Sequence, residues 1–267
     1  MPRPESAPAP ELNRALVVSI VSHGHGALVE RLLLQMGRLS GTSVARVVLT
    51  QNLPETPPLP PPGGWPFALE VVRNAVPQGF GDNHNHALMG AREPFVCVLN
   101  PDVVLLGEAD PFAALVGSAA QPGTGCAYPE QVGLHGNRQD SERSLPTPMA
   151  LWRRRVLHQR DARVDWVNAA CLVLPAHAWV AVGGFDVSYF MYCEDVDLCL
   201  RLRLAGLALV RAPVQVVHAG QRASHRNWAH LQWHVRSLLR LWRSPVYRQA
   251  RQLLRAPVPP AGTIDRS

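Results

Sequence analysis

The sequence predicts an α/β fold, in which a mostly parallel sheet is flanked by helices. The apolar run Ala15–Val21 is followed by a helical pattern with apolar residues at i, i+3, i+4 and i+7. A second apolar run, Val44–Leu49, comes next. A strand, a helix and a strand at this spacing form a βαβ unit with parallel strands. Phe95–Leu99 is a third continuous apolar run, which we expect at the centre of the sheet.

The composition indicates a globular protein with an anionic partner. The chain has 267 residues, of which 47% are hydrophobic and 17% charged, enough for one large domain with a substantial core. Its net charge is +6, and every basic residue is arginine, which excludes lysine chemistry such as Schiff-base formation. No compact basic run or aromatic platform accompanies the charge, so we expect phosphates or an acidic membrane surface rather than nucleic acid.

The five cysteines lack C-x-x-C spacing, which is typical of a reduced, cytoplasmic protein. No stretch reaches the ~18 apolar residues of a membrane span, and the N-terminal residues do not resemble a signal peptide. We expect a cytoplasmic protein that also contacts the inner face of the membrane. The predicted boundaries are a flexible tail over 1–11, the main domain over 12–226, a helical extension over 227–256 and a second tail over 257–267.

Polar residues follow the first two predicted strands. Ser22 follows the first strand, and Gln51 and Asn52 end the second. Ligands of parallel sheets bind beyond the carboxyl ends of the strands, so these residues are pocket candidates. The loop 78–86 is rich in glycine and amides and opens the next helix, where helix capping and ligand contact are both open. His84 and His86 in this loop face apart on a helix and are not predicted to share a metal.

An Asn-Pro-Asp sequence ends the third apolar run. Pro101 cannot continue a strand ladder, so Asp102 is expected at the carboxyl end of the strand. A carboxylate there could bind a divalent cation that bridges a diphosphate. The alternative is that Asp102 is only a turn residue.

The stretch Gly183–Leu207 places three carboxylates at the start of a leucine-rich helix: Glu194, Asp195 and Asp197. Free N–H groups and the helix dipole at this position favour ionised carboxylates. Asp197 and Arg201 have the favourable i, i+4 order for an ion pair. Simple complementation of the helix dipole is the alternative to a catalytic role for the other two acids.

The rest of the second half of the sequence contains fewer patterns that predict secondary structure. Residues 121–148 lack periodicity and are expected to be irregular. Strands are expected over 164–174, 207–210 and 214–217, the last ending at His218. The extension predicts a helix with one apolar stripe and a separate arginine face, which either packs on the domain or docks on an anionic membrane. The stripe is Trp228, Leu231, Val235, Leu238 and Trp242, and the arginine face is Arg236, Arg240 and Arg243.

Three of these segments together resemble the family-2 glycosyltransferases of the GT-A fold, especially the rhamnosyltransferase-like branch. They are the Asn-Pro-Asp after a hydrophobic strand, the Gly-Gly-Phe-Asp…Glu-Asp-Val-Asp-Leu-Cys-Leu-Arg segment, and the strand ending in His218 with Ser224 after it. The resemblance covers residues 16–226 and implies a Rossmann-like mixed, mostly parallel sheet. It also implies inverting transfer of a sugar, rhamnose in this branch, from a nucleotide-diphosphate sugar to a glycan or lipid-linked acceptor in cell-surface polysaccharide synthesis.

The resemblance also implies roles for individual residues. Asp195 would be the general base, with Glu194 beside it, and Asp102 and His218 would hold Mn²⁺ or Mg²⁺. The residues implied to bind the nucleotide sugar are Ser22, Gln51, Asn52, Gly79, Asp82, Asn85, Asn100, Asp102 and Arg222.

Three departures from the family pattern leave a second hypothesis open. The second strand ends in Gln51-Asn52 instead of an acid beside Asn, Ser-His-Gly replaces Thr-Tyr-Asn after the first strand, and Asn100 replaces the first metal-binding acid. The alternative is therefore a non-catalytic relative that binds sugars or nucleotides. A nucleotidyltransferase would need a basic glycine loop after the first strand, and Ser-His-Gly-His-Gly contains neither Arg nor Lys.

Overall fold

The computed structural model describes residues 13–157, 163–218 and 228–254. The strands are β1 (Leu16–Ser22), β2 (Val44–Gln51), β3 (Ala68–Arg73), β4 (Phe95–Leu99), β5 (Val103–Leu105), β6 (Thr124–Val132), β7 (Glu142–Arg143), β8 (Trp166–Val167), β9 (Cys171–Pro175) and β10 (Ala208–His218). The helices are α1 (Gly26–Leu39), α2 (Phe80–Leu88), α3 (Pro111–Ala119), α4 (Pro148–Leu157), α5 (Ala176–Val182), α6 (Glu194–Leu204), α7 (Trp228–Arg243) and α8 (Pro245–Leu253).

Eight of the strands form one mixed sheet in the order β3-β2-β1-β4-β9-β6-β10-β5. The pairs β1–β2, β1–β4, β2–β3 and β6–β10 are parallel, whereas β9 runs antiparallel to both β4 and β6, and β5 runs antiparallel to β10. The predicted α/β class with a mostly parallel sheet is therefore confirmed, and β4 is central as expected. The antiparallel β9 joins two parallel halves.

The core lies on both faces of this sheet. Along β1, Leu16, Val18 and Ile20 pack with α1 and α3 on one face, while Val17 packs with α2, α5 and α6 on the other. This alternation follows from the period of two along a strand, and both faces are apolar because helices cover both. The continuous apolar runs in the sequence reflect this double burial.

Two parts of the second half differ from the sequence-based expectation. The segment 121–148, expected to be irregular, contains the nine-residue strand β6, which is paired on both sides. The two short strands expected after α6 are one eleven-residue strand, β10, with an irregular register between Arg211 and Gln215. Pro213 lies in this irregular part, where the missing N–H breaks the ladder but does not end the strand.

The helical extension packs on the α6 side of the sheet through part of the predicted stripe, because Leu238 and Trp242 pack against the core there. Leu231 and Val235 of the predicted stripe are exposed, whereas Ser237 and Leu241 are buried. Leu241 and the buried Tyr247 and Ala250 of α8 join the core on the α6 side of the sheet. Within the described residues, no helix combines the length and the apolarity that a membrane crossing requires.

Candidate active site

The carboxyl ends of β1 and β2 border a cavity of about 450 Å³. Ser22 and Gln51 are neighbours in the register of the two strands, and both line this cavity. The Gln51 Oε1 atom is buried and accepts no hydrogen bond from the described residues, so it can accept one from a ligand. Both predicted pocket residues therefore lie at the predicted edge of the sheet.

A carboxylate that the sequence analysis missed occupies the rim of this cavity. The Ser22 hydroxyl donates to Glu55 Oε2 at 2.8 Å, and the backbone N–H of Gly24 donates to Glu55 Oε1 at 2.7 Å. The loop after β2 thus brings a carboxylate to the end of β1. Glu55 sits in a proline-rich loop, so no periodic signal marked it.

The Asn52 side chain is fully occupied by contacts within the protein. Its Nδ2 atom lies 3.2 Å from His23 Nδ1 and donates to the Gln78 carbonyl at 2.9 Å. Its Oδ1 atom accepts from the Gln78 N–H and from Asn74 Nδ2 at 2.8 and 2.7 Å. A direct nucleotide contact by this side chain would break one of these bonds, so the structure gives Asn52 a role in holding the loops together.

The loop that opens α2 packs against the aromatic loop, by which we mean residues 185–193. Asn85 Oδ1 accepts from the Phe185 N–H and its Nδ2 donates to the Phe185 carbonyl, both at 2.8 Å. A Cβ atom on Gly79 would lie 2.7 Å from the Phe190 carbonyl oxygen, so only glycine fits there. Gly79 and Asn85 thus position the aromatic loop, while the half-buried Asp82 makes no ion pair within the described residues.

His84 is a core residue, as its separation from His86 predicted. It is buried, and its Nδ1 lies 2.8 Å from the Ser19 hydroxyl, whereas His86 is exposed. Burial lowers the pKa of His84 to about 3, so its ring is neutral. The buried ring of His84 and the exposed ring of His86 therefore face apart, as predicted.

Asp102 and His218, the predicted metal ligands, are brought together by strand register. His218 ends β10 directly opposite Val103 of the antiparallel β5, and its Nε2 atom lies 3.4 Å from Asp102 Oδ2. Within the described residues no cluster of three or more His, Cys, Asp or Glu side chains forms a metal site. One carboxylate and one imidazole do fit a cation that takes its other ligands from a substrate diphosphate and water, as Mg²⁺ commonly does.

Glu194 and Asp195 open α6 after two residues in the left-handed region of the backbone. Tyr192 has φ 72° and Cys193 has φ 67°, and neither is glycine. Such residues cost of order 1–3 kcal/mol each and persist only where surrounding contacts enforce them. Two in succession immediately before an acid pair indicate that the position of the acids is set by the loop rather than by the helix alone.

Burial dominates the protonation of the two acids. Desolvation, followed by the charge of Asp195, raises the pKa of Glu194 to about 8, and its Oε2 atom is buried without a hydrogen-bond partner. Desolvation raises the pKa of Asp195 to about 6, opposed by the Val196 N–H at 2.8 Å and by Arg143. The expectation that both would be ionised at neutral pH is wrong for Glu194, because burial outweighs the helix dipole. Burial therefore favours the protonated form of both acids, and it does so more strongly in Glu194 than in Asp195.

One short segment connects the acid pair to Asn100. The Asn100 N–H donates to the Ala170 carbonyl at 2.8 Å, and the neighbouring Ala169 N–H bonds to Asp195. Asn168 is fixed by a reciprocal amide pair with Gln131. The sequence predicted a continuous strand over 164–174, but it breaks between β8 and β9 to form this link.

Arg143 of β7 is a further site residue that sequence reasoning did not assign. Its charge favours ionised Asp195, and its guanidinium carbon lies 5.1 Å from the centre of the Trp166 ring. It falls in the stretch expected to be irregular, and the β7–β8 pair that places it comprises only two residues on each strand. A strand pair of two residues leaves no periodic pattern in the sequence from which it could be predicted.

Asp197 and Arg201 form the predicted ion pair, at 2.7 Å. Arg201 also donates to the Val182 carbonyl, which ties α6 to the end of α5. Asp197 is therefore a structural partner, separate from the two acids before it. Arg222, predicted to contact the nucleotide sugar, lies outside the described residues, as does Ser224.

α7 holds the other side of the aromatic loop. The Ser237 hydroxyl donates to the Met191 carbonyl, and the Tyr192 hydroxyl lies 2.9 Å from His230 Nδ1. The loop is thus fixed between the start of α2 and the face of α7, just before Glu194. This double contact explains how the strained backbone at Tyr192 and Cys193 is maintained.

No protein-family model matches the chain. It is 31% identical over 257 residues to N-acetylglucosaminyl-diphospho-decaprenol L-rhamnosyltransferase of Mycobacterium tuberculosis, with 86% of this chain and 79% of the relative covered. It is 27% identical over 248 residues to rhamnosyltransferase WbbL of Escherichia coli, with 84% and 90% covered.

Solved structures support the same fold. A mannosyltransferase of Pyrobaculum calidifontis in complex with GDP-Man and Mn²⁺ aligns with a TM-score of 0.59 at 16% identity, covering 95% of this chain and 79% of that one. GalNAc-T7 with UDP, GalNAc and Mn²⁺ aligns with a TM-score of 0.58 at 16% identity, covering 76% and 42%. At this identity the likeness concerns the fold, and it confirms the predicted GT-A type.

Proposed function

Since the chain belongs to the rhamnosyltransferase-like family-2 glycosyltransferases, we propose that it moves a sugar from a nucleotide-diphosphate donor to a hydroxyl of a lipid-linked glycan acceptor. Rhamnose carried on dTDP is the first donor to test, because the two curated relatives are named rhamnosyltransferases. The acceptor class follows from the relative whose name includes a diphospho-decaprenol. We place the reaction in the synthesis of a cell-surface polysaccharide.

The single observation that carries this proposal is the acid pair at the start of α6, in which Glu194 is buried and Asp195 is half-buried. A carboxylate whose pKa is raised to about 6 is ionised at neutral pH and is also a stronger base than an exposed aspartate. The neighbouring Glu194, whose pKa is raised to about 8, keeps its proton and is neutral. Asp195 therefore does not ionise next to a second negative charge. A relative that only bound sugars would have no need for two desolvated acids on a strained turn.

In the proposed reaction Asp195 accepts the proton of the acceptor hydroxyl while that oxygen attacks the anomeric carbon of the donor sugar. The bond between this carbon and the diphosphate oxygen breaks in the same displacement, so the configuration inverts and nucleoside diphosphate leaves. A positioned base contributes about 10²–10⁴ in rate. Against the effect of burial, the Val196 N–H, Arg143 and the Ala169 N–H favour the ionised form of Asp195 that this step requires.

Asp102 and His218 are the residues that would hold a divalent cation, either Mn²⁺ or Mg²⁺. When bound, such a cation neutralises charge that develops on a departing diphosphate. Ser22, Gln51 and Glu55 would bind the nucleoside part of the donor in the cavity beyond β1 and β2. Asn100 and Asp82 stay proposed donor contacts.

We also propose a peripheral contact between the helical extension and the cytoplasmic face of the membrane. Leu231, Val235 and Leu239 are exposed at spacings of four along α7, and Arg236, Arg240 and Arg243 are exposed beside them. An apolar row beside basic residues suits the headgroup region of an anionic bilayer. A lipid-linked acceptor would be met at that surface.

The test is transfer from dTDP-, UDP- and GDP-linked sugars to a synthetic lipid-diphosphate glycan in the presence of Mn²⁺, with release of nucleoside diphosphate as the readout. A thermal-shift series with the same donors identifies the nucleotide independently of turnover. We expect one donor both to raise the melting temperature and to be consumed in the presence of acceptor. Stabilisation by a donor without turnover on a broad acceptor panel would favour the non-catalytic alternative.

A further inference from the structure

A groove of about 880 Å³ runs between the aromatic loop and α7, separate from the cavity at β1 and β2. On one side it is lined by Asp186, Ser188, Tyr189 and Phe190. On the other it is lined by α7 and the start of α8, from Trp233 to Pro245. The predicted donor residues do not line this groove.

Among the described residues that line the groove, arginines outnumber acids by three to one. Arg236, Arg240 and Arg243 all line it, all three are exposed, and none forms an ion pair with the described residues. Asp186 is the one acid among the lining residues, and its Oδ1 accepts from the Ser188 N–H at 2.9 Å. Three guanidinium groups at i, i+4 and i+7 share one helix face, an arrangement suited to an anion with several oxygens.

The helix that carries these arginines also contacts the loop that leads into the acid pair. The Ser237 hydroxyl, on the same helix, bonds to the Met191 carbonyl, three residues before Glu194. Arg240 is near enough to Tyr189 to influence its ionisation. The aromatic loop, which leads directly into Glu194 and Asp195, thus forms the wall of the groove that faces the arginines.

The exposed apolar row of α7 continues in the same direction. Leu239 belongs both to this row and to the lining of the groove, next to the arginine face. Around α7 the arginines thus lie between the aromatic loop and the apolar row. A molecule with a sugar, a diphosphate and a lipid chain matches this order of polar site, positive charge and apolar surface.

We propose that Arg236, Arg240 and Arg243 bind the diphosphate of a lipid-linked acceptor and so determine which acceptors the enzyme uses. This inference rests on the proposed transfer to a lipid-linked acceptor and adds the residues that recognise its anionic part. Charge-assisted hydrogen bonds from guanidinium groups to phosphate oxygens are among the strongest in proteins. The arginines position the acceptor and take no part in the chemical step.

The test compares two acceptors that carry the same sugar, one linked to a lipid through a diphosphate and one linked to an uncharged alkyl chain, both in neutral detergent micelles. Arg240→Gln and the double variant R236Q/R243Q are compared with Arg248→Gln, an exposed arginine of α8 outside the groove lining. We expect the groove variants to raise KM for the diphosphate acceptor by about tenfold or more, with KM for the uncharged acceptor and kcat unchanged. Arg248→Gln and Arg240→Lys should stay within about twofold of the wild type.

The possible outcomes test the role of the groove and the proposed transfer reaction separately. If the wild type transfers to the diphosphate acceptor and the groove variants behave like Arg248→Gln, the groove inference is wrong while the proposed function stands. If the variants lose activity only on vesicles containing anionic phospholipid and not in neutral micelles, the arginines bind membrane headgroups instead. If the wild type transfers to neither acceptor with any donor, the proposed function itself fails.

Discussion

The acceptor side and the donor side of the proposed cleft are built in different ways. On the acceptor side, Glu194 and Asp195 are held by a loop with two strained residues, which α2 contacts on one side and α7 on the other. On the donor side, Asp102 and His218 sit at the ends of paired strands, and the cavity beyond β1 and β2 is closed by the proline-rich loop that carries Glu55.

This difference shows which side of the proposed cleft has the more rigidly held backbone. Strained backbone persists only when several contacts enforce it, so the aromatic loop is a rigid support for the acid pair in which we propose the proton acceptor lies. The donor side combines Ser22, Gln51 and Glu55 from three separate segments, and three of its positions depart from the family pattern. We infer that chemistry is maintained on the acceptor side, while donor identity is decided by the loops on the other side.

The largest effect should come from Asp195→Asn. The amide cannot accept a proton, so transfer should fall by about 10²–10⁴ while the donor still stabilises the protein in a thermal-shift measurement. Glu108→Gln, which changes an exposed acid in the loop after β5, serves as the control and should transfer normally. Near-normal turnover of Asp195→Asn would show that the base lies elsewhere.

The donor side can be tested by removing the cation. Chelation of divalent ions should abolish transfer and added Mn²⁺ should restore it, because the diphosphate leaving group needs its charge neutralised. His218→Gln should raise the Mn²⁺ concentration required for half-maximal activity by about 10–100-fold, as losses at metal-site partners typically do. Activity that is indifferent to chelator in both proteins would argue against a metal at Asp102 and His218.

The rigid support of the aromatic loop can be tested with two adjacent glycines. Gly183 and Gly184 both have positive φ, but a Cβ atom on Gly184 would meet Asn85 Oδ1 and Trp179, whereas one on Gly183 would meet nothing within 4 Å. Gly184→Ala should therefore destabilise the protein by about 1–3 kcal/mol more than Gly183→Ala, a difference of about 2–4 °C in Tm per kcal/mol. Equal melting temperatures would mean that the loop yields easily to the added atom.

The sequence predicted the parts of the fold whose residues are uniformly buried. β1, β2 and β4 are continuous apolar runs because helices cover both faces of the sheet. β6 was missed because its sequence includes Gly125, Pro129 and Glu130, although the strand is buried between β9 and β10. On α7 the predicted stripe was correct in part: Leu238 and Trp242 pack against the core, whereas Leu231 and Val235 are exposed and Ser237 and Leu241 are buried.

Candidate site residues can be recognised in the sequence where one motif contains them. Glu194 and Asp195 are adjacent in sequence, and Asp102 follows directly from the proline that ends β4. The contact between Asp102 and His218 required the register of β10 against β5, which sequence periodicity does not provide. Glu55 and Arg143 lie in segments without periodicity, and their roles become visible only when the loops are placed in space.

The smallest predicted effect concerns the proton that Glu194 holds in the folded protein. In the unfolded chain the pKa of Glu194 should be about 4.3, and burial raises it to about 8 in the folded protein. The folded state therefore binds this proton more tightly, and stability is lost as the pH rises from about 4.3 to about 8. Glu194→Gln keeps the shape of the protonated acid and removes this loss, so its Tm advantage over the wild type should be larger at about pH 8.5 than at about pH 5.5. Each kcal/mol by which Glu194→Gln raises the free energy of unfolding corresponds to about 2–4 °C in Tm.

The exposed control Glu108→Gln should give a Tm difference that does not change with pH. Transfer by Glu194→Gln should persist at neutral pH, because Asp195 still accepts the proton. If Glu194→Gln instead lost transfer as fully as Asp195→Asn, the two acids would have to act together as the base, and the division of roles within the pair would be wrong.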